Sequence, residues 1–323
     1  MKLTMNALGI GLIIGLSTMS ASASGLQKVS ANYVSSDYAK TKYPIVFNHG
    51  MFGFTRLGTQ SFGMDYFYQI LPDLARNGAN VYATQVSPLE STEVRGEQLL
   101  QQVDEVLALT GSSKVNLIGH SHGGPTIRYI EIVAPQKVAS LTAVAGTIKG
   151  SKVADDLLAN QAASSVMTVL GQYLIAPIIT ILEGNPSLSN SLDRSLKSIS
   201  EKGSTEFNNK YPSAAIPTDC GQGQKVTTNG VYHYSWTGTA QITNLFDIAD
   251  TAISQLAPLS YKNKDNDGLV SRCNTHFGQV IRDNYTQSHL DEVNLILGLK
   301  GLFAPDPVVL FRQHANRLKL EGL

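Results

Sequence analysis

The chain has 323 residues, with 25 Lys and Arg balanced by 25 Asp and Glu, and two cysteines. That length supports one large α/β domain or two ordinary ones with an ample core. The balanced charge provides no strong field for nucleic acid or an anionic surface, so those partners are set aside.

Residues 1–24 read as a secretory signal peptide. Lys2 supplies the positive end, Ala7–Leu16 the apolar stretch and Ala21-Ser-Ala23 a small-residue cleavage site. The apolar stretch is too short for a transmembrane anchor. The reading is therefore a secreted, extracellular protein exported through the periplasm, with residues 25–323 as one domain. In such a compartment the lone pair Cys220 and Cys273 is most simply a disulfide.

From 43 to 147 strand and helix patterns alternate. Tyr43–Phe47 and Asn80–Val86 read as strands. Glu93–Thr110 reads as a helix with Leu99, Val103, Val106 and Leu107 on one face, stopped by Gly111. Lys114–Ile118 is the next strand, Pro125–Val133 the next helix, and Val138–Ala145 a further strand. Alternation of this kind implies a parallel sheet covered by helices, with ligands at the carboxyl ends of its strands.

Between the third strand and its helix stands Gly119-His-Ser-His-Gly123, a G-x-S-x-G motif at a strand-to-helix junction. In that context the motif is a nucleophile elbow. A side chain at 119 or 123 would collide with neighbouring backbone and displace Ser121 from its tight turn.

Leu157–Leu182 carries no charge. It is long enough to span a membrane, but Ser, Thr, Gly, Gln and Pro dilute it. A core helix and an apolar lid over the site are the other readings. Residues 183–229 are polar and irregular, an excursion from the sheet. Strand character returns at Val231–Trp236 and Phe277–Ile281, and His289–Leu299 reads as the closing helix.

A serine nucleophile needs a base, and the base needs an orienting carboxylate, in the chain order Ser, acid, His. His122 is the elbow's own neighbour, His233 lies in a strand pattern and His314 in a basic terminal segment. His276 and His289 remain, and His289 is preferred by its place after a strand and loop. Asp265 and Asp267 are both candidate acids, with Asp267, before Gly268, preferred. The oxyanion requires two N–H donors. One is expected from His122, and the other from Met51 in the loop Asn48-His-Gly-Met-Phe-Gly53.

Asn48–Phe54, Gly119–Pro125, Asn266–Val270, Ser288–Val293 and Arg312–Lys319, with Phe207-Asn, Tyr211-Pro and Cys220-Gly, appear in this order. Together they resemble the secreted, foldase-dependent triacylglycerol lipases of the Pseudomonas and Burkholderia type. The resemblance implies an α/β-hydrolase fold, a mostly parallel central sheet with helices on both faces and a helical lid at about 155–190. It implies Ser121, Asp267 and His289 as a triad, Met51 and His122 as oxyanion donors, and a Cys220–Cys273 disulfide. It also implies a structural Ca²⁺ held by Asp247, Asp291 and the backbone carbonyls of Leu295 and Leu299. Leu295 stands where that family commonly has Gln, a change a carbonyl ligand tolerates. A foldase partner and an ester substrate at a lipid–water interface follow from the same resemblance. The rival readings are a soluble carboxylesterase for short esters, a peptidase or acyltransferase on the same scaffold, and a non-catalytic lipid-binding protein.

Overall fold

Apolar runs at 45–48, 81–84, 115–120 and 138–144 are buried along their whole length, as strands covered on both faces must be. The structure is a computed structural model that describes residues 25–58, 63–159, 187–244, 250, 254, 261–262 and 265–323. The expected signal peptide lies outside the described residues, as does 160–186 of the expected lid.

In chain order the strands are β1 (Gln27–Val29), β2 (Ile45–Asn48), β3 (Arg56–Gly58), β4 (Gly63–Asp65), β5 (Val81–Thr84), β6 (Val115–His120), β7 (Val138–Val144), β8 (Tyr232–Gly238) and β9 (Gln279–Tyr285). Seven form one sheet in the order β1-β5-β2-β6-β7-β8-β9, in which only β1 is antiparallel. β3 and β4 form a separate antiparallel pair.

The helices are α1 (Ile70–Arg76), α2 (Thr92–Thr110), α3 (Gly123–Val133), α4 (Lys152–Ala159), α5 (Leu192–Ile199), α6 (Glu201–Lys210) and α7 (Pro307–Leu320). Ser91 caps α2 by accepting from the Val94 N–H, and Gly111 ends it at φ 65°. Serines also cap α5 and α6, so part of the segment expected to be irregular is helical. Two apolar layers cover the sheet. One gathers Phe47, Phe67, Trp236 and Phe311, and the other Val46, Leu99, Val103, Leu117 and Ile130.

One expected element is corrected. His289–Leu299 is not a helix: only a 3-10 turn at Asp291–Val293 forms. Asn294, Leu297 and Gly298 adopt φ of 59°, 49° and 80°, which the right-handed helix excludes. The closing helix is α7 instead. Its Phe311 packs on Phe47 and Trp236, and Arg312 pairs with Asp73 at 2.9 Å.

Candidate active site

Ser121 follows the carboxyl end of β6 and immediately precedes the start of α3, and it sits at φ 55°. A non-glycine residue there is strained, and strain of this kind persists only where surrounding structure imposes it. The imposition is visible in the flanking glycines. A Cβ on Gly119 would lie 2.2 Å from the Gly123 carbonyl oxygen, and one on Gly123 would lie 2.6 Å from the Asn48 oxygen. The Ser121 N–H donates to Val144 O at 3.0 Å, and its carbonyl accepts from Gly124 and Thr147.

Asp267 is fully buried, yet its carboxylate is well supplied with donors. Oδ1 accepts from the N–H groups of Leu269 and Val270 at 2.9 and 2.8 Å, and Oδ2 accepts from His289 Nδ1 at 2.7 Å. The His289 N–H donates to the Asp267 carbonyl at 2.9 Å. A neutral imidazole that donates from Nδ1 keeps Nε2 as its proton-accepting nitrogen. Of the two aspartates it is Asp267 that meets His289; Asp265 is solvent-facing and pairs with Arg272. His276 faces Gly221 O and Asp283 instead of this cluster.

The expected oxyanion loop is fixed by three side chains. Arg95, wholly buried, donates to Ser87 O at 2.5 Å and to His49 O at 2.6 Å. His49 accepts the Val86 N–H at Nε2 and so donates from Nδ1 to Gly50 O. Burial, with the Arg95 charge beside it, pushes His49 down to about 3, so it stays neutral. Among the described residues no acceptor within the protein takes the Met51 or His122 N–H.

The third side chain is Tyr66. Its hydroxyl accepts the Gly50 N–H at 3.1 Å and lies 2.7 Å from His120 Nδ1; since His120 Nε2 faces the His289 carbonyl, which can only accept, Nδ1 of the neutral ring is the acceptor and the tyrosine hydroxyl donates to it. His120 then carries its proton on Nε2 and donates to the His289 carbonyl at 3.0 Å. The His120 and His289 rings lie 4.7 Å apart. A continuous chain of hydrogen bonds thus runs from the oxyanion loop through residue 120, next to Ser121, to the backbone of His289. Burial holds His120 well below the ordinary histidine range, so the ring stays neutral. Ser121 Oγ forms no hydrogen bond to His289 in this structure; such contacts commonly tighten only with substrate.

Sequence reasoning missed Tyr66, Arg95 and His120 as positioning groups. It also missed Glu292, a buried carboxyl that accepts the Gly238 N–H at 2.7 Å. Burial, reinforced by the Asp267 charge, raises it well above the carboxylate range.

Of the expected metal ligands, Asp247 lies outside the described residues. Asp291 is buried, its Oδ2 accepting from Thr243 Oγ1 at 2.6 Å and Ser288 N at 3.2 Å. Thr243 Oγ1 also lies 2.9 Å from Oδ2 of buried Asp250, and one hydroxyl proton cannot serve both carboxylates. Leu295 O accepts the Leu297 N–H. Two buried carboxylates meeting at one hydroxyl are an oxygen-only donor pair of the kind a hard divalent cation takes. Cys220 and Cys273 form a disulfide, which ties the excursion after α6 to the turn Arg272–Thr275 between Asp267 and β9.

Strand–elbow–helix geometry, an Asp–His pair and a parallel sheet define an α/β hydrolase. A family model described as alpha/beta hydrolase fold matches residues 43–174. A triacylglycerol lipase of Vibrio cholerae is 48% identical over 88% of this chain and 90% of its own length. That of Burkholderia plantarii is 38% identical over 94% of each chain, and that of Pseudomonas fragi 35% over 89% and 99%. Among solved structures, a mature Bacillus licheniformis lipase superposes with a TM-score of 0.60 at 16% identity, covering 91% of this chain and 98% of its own. This protein belongs to the bacterial triacylglycerol lipases, and it is a serine ester hydrolase. No helix among the described residues is long and apolar enough to cross a membrane.

Proposed function

We propose that this lipase works through Ser121, Asp267 and His289, with Met51 and His122 as oxyanion donors. The observation that carries the reading is the buried 2.7 Å contact of Asp267 with His289 Nδ1 on the rim that presents the strained Ser121. His289 Nε2 takes the hydroxyl proton as Ser121 Oγ attacks an acylglycerol carbonyl. The negative oxygen that forms is held by the Met51 and His122 N–H groups. Collapse expels the glyceride alcohol, protonated by His289, and leaves an acyl-enzyme. His289 then deprotonates water, which releases the fatty acid. Asp267, charged and triply hydrogen-bonded, stabilises the imidazolium in both steps.

Replacing Ser121 by Ala is expected to preserve folding and remove at least ~10³-fold of activity. Wild-type-like tributyrin turnover by that variant overturns the assignment. A chain-length series that includes long-chain emulsions separates this reading from a short-chain carboxylesterase.

The same reading extends to three properties. Calcium at Asp247, Asp291, Leu295 O and Leu299 O is a structural ion that clamps the segment carrying His289. Chelation is then expected to lower the melting temperature, since the ion binds only the native state. Residues 1–24 direct secretion, and amino-terminal sequencing of exported protein tests the cleavage. A cognate foldase assists maturation, which expression with and without that partner decides.

A further inference from the structure

Beyond β9 the backbone makes a tight turn at Gly301–Ala304, closed by an Ala304 N–H to Gly301 O bond of 3.1 Å. Its two central positions are Leu302 and Phe303, 96% and 93% exposed. Those positions project furthest, and Gly, Asn, Asp, Ser and Pro ordinarily fill them. Isolated exposed apolar residues need no explanation, but a contiguous group does. Here Ile242, Leu297 and Leu299 are also exposed on the adjoining segments, and a Cβ on Gly301 would lie 3.1 Å from Thr243.

The turn is pinned beside the active site. Lys300 O accepts from Asn244 Nδ2, Phe303 O from Thr286 Oγ1, and Pro305 O from Gln287 Nε2 at 3.0 Å. Residues 242–244 follow β8 and residues 286–287 follow β9, so the tip stands at the same edge of the sheet as the elbow. Gln287 is two residues from His289. The charge flanking the tip is neutralised, since Lys300 pairs with Asp306 at 3.2 Å. An uncharged, apolar tip fixed by its own backbone matches a neutral fat surface.

We propose that the Leu302–Phe303 turn is a fixed anchor that inserts into the surface of the triacylglycerol phase and sets the catalytic rim against it. The proposal rests on the lipase reading and names the surface through which that reading operates. It is distinct from any lid, because the turn needs no movement to present its side chains.

The test uses adsorption of the Ser121→Ala protein to triolein emulsion, measured by depletion on centrifugation, with and without Leu302→Ser and Phe303→Ser. At least tenfold weaker partitioning is expected. In the Ser121 background the double variant keeps hydrolysis of dissolved p-nitrophenyl acetate within twofold. Leu302→Asn with Phe303→Gly, residues suited to such a turn, gives the same result by a route that favours folding. Leu109→Ser with Val133→Ser, exposed at the carboxyl ends of α2 and α3 and hence at the opposite edge of the sheet, leaves adsorption unchanged. Adsorption within twofold of the parent for both turn variants overturns the anchor alone. So does a dimer that the turn variants convert to monomer with adsorption intact, because the tip then joins two copies. A parent protein that neither adsorbs to triolein nor hydrolyses it overturns the lipase reading itself.

Discussion

Tyr66→Phe removes one oxygen and breaks two buried contacts at once. The Gly50 N–H loses its acceptor and His120 Nδ1 its donor. Each group left unsatisfied costs about 1–3 kcal/mol, so the fold is expected to lose about 2–6 kcal/mol. For a chain of this size that lowers the melting temperature by about 3–10 °C. The catalytic consequence is separate. With Gly50 released, the neighbouring Met51 N–H is no longer held where the oxyanion forms, and misplacement by about 1 Å costs on the order of 10²-fold. The loss should fall on kcat with KM little changed, because only the transition state uses that donor. Steady-state kinetics on dissolved tributyrin well below the melting transition, paired with thermal denaturation, read both effects. A variant that melts lower but keeps wild-type kcat would show that Tyr66 serves stability alone. A variant unchanged in both would refute the hydrogen-bond accounting.

Arg95→Met leaves the His49 and Ser87 carbonyls without their donor and is expected to cut kcat by about 10²-fold. Arg95→Lys should not rescue it, because a single ammonium cannot replace the fork; equal kcat for the lysine variant and wild type argues against the role. His49, His120, His122 and His314 are all held below their ordinary value of 6.5, chiefly by burial. Their stability contribution is present above pH 6.5 and lost as pH falls below it, because the unfolded chain then binds the protons. At pH 5.5 the four together weaken the fold by about 5 kcal/mol. Urea unfolding at pH 7.5 and 5.5 measures this, and a loss under about 1.5 kcal/mol contradicts it. Replacing both Cys220 and Cys273 by Ser opens a link across 53 residues. The chain-entropy argument gives about 4 kcal/mol for it, read as a lower urea midpoint.

The legibility of this chain in its sequence tracks distance along it. The elbow was readable because Gly119, Ser121 and Gly123 act on one another within five residues, and the strands because burial on both faces writes continuous apolar runs. Order and family resemblance pointed to Asp267 and His289, which the structure brings together at 2.7 Å, whereas Asp265 pairs with Arg272 and His276 with Gly221 O and Asp283. The closing helix was misplaced because the apolar spacing at 290, 293 and 297 mimics a helix. The positive φ at Asn294 and Leu297 comes from the packing of that loop, which spacing does not encode. Tyr66, Arg95 and His120 were not legible as a group. Their task is to join residues 49–50 to 87 and 289, and no local pattern marks a tyrosine whose hydroxyl must serve two distant partners.

The helix α7 sews together parts of the sheet that lie far apart along the chain. Phe311 completes the aromatic cluster of Phe47 and Trp236, His314 bonds to Thr142 on β7, and the Leu323 carbonyl accepts the Lys42 N–H just before β2. The Thr142–His314 bond spans 172 residues of chain, and pairings this remote must bear the entropy of closing a long loop before they reward it, which slows folding.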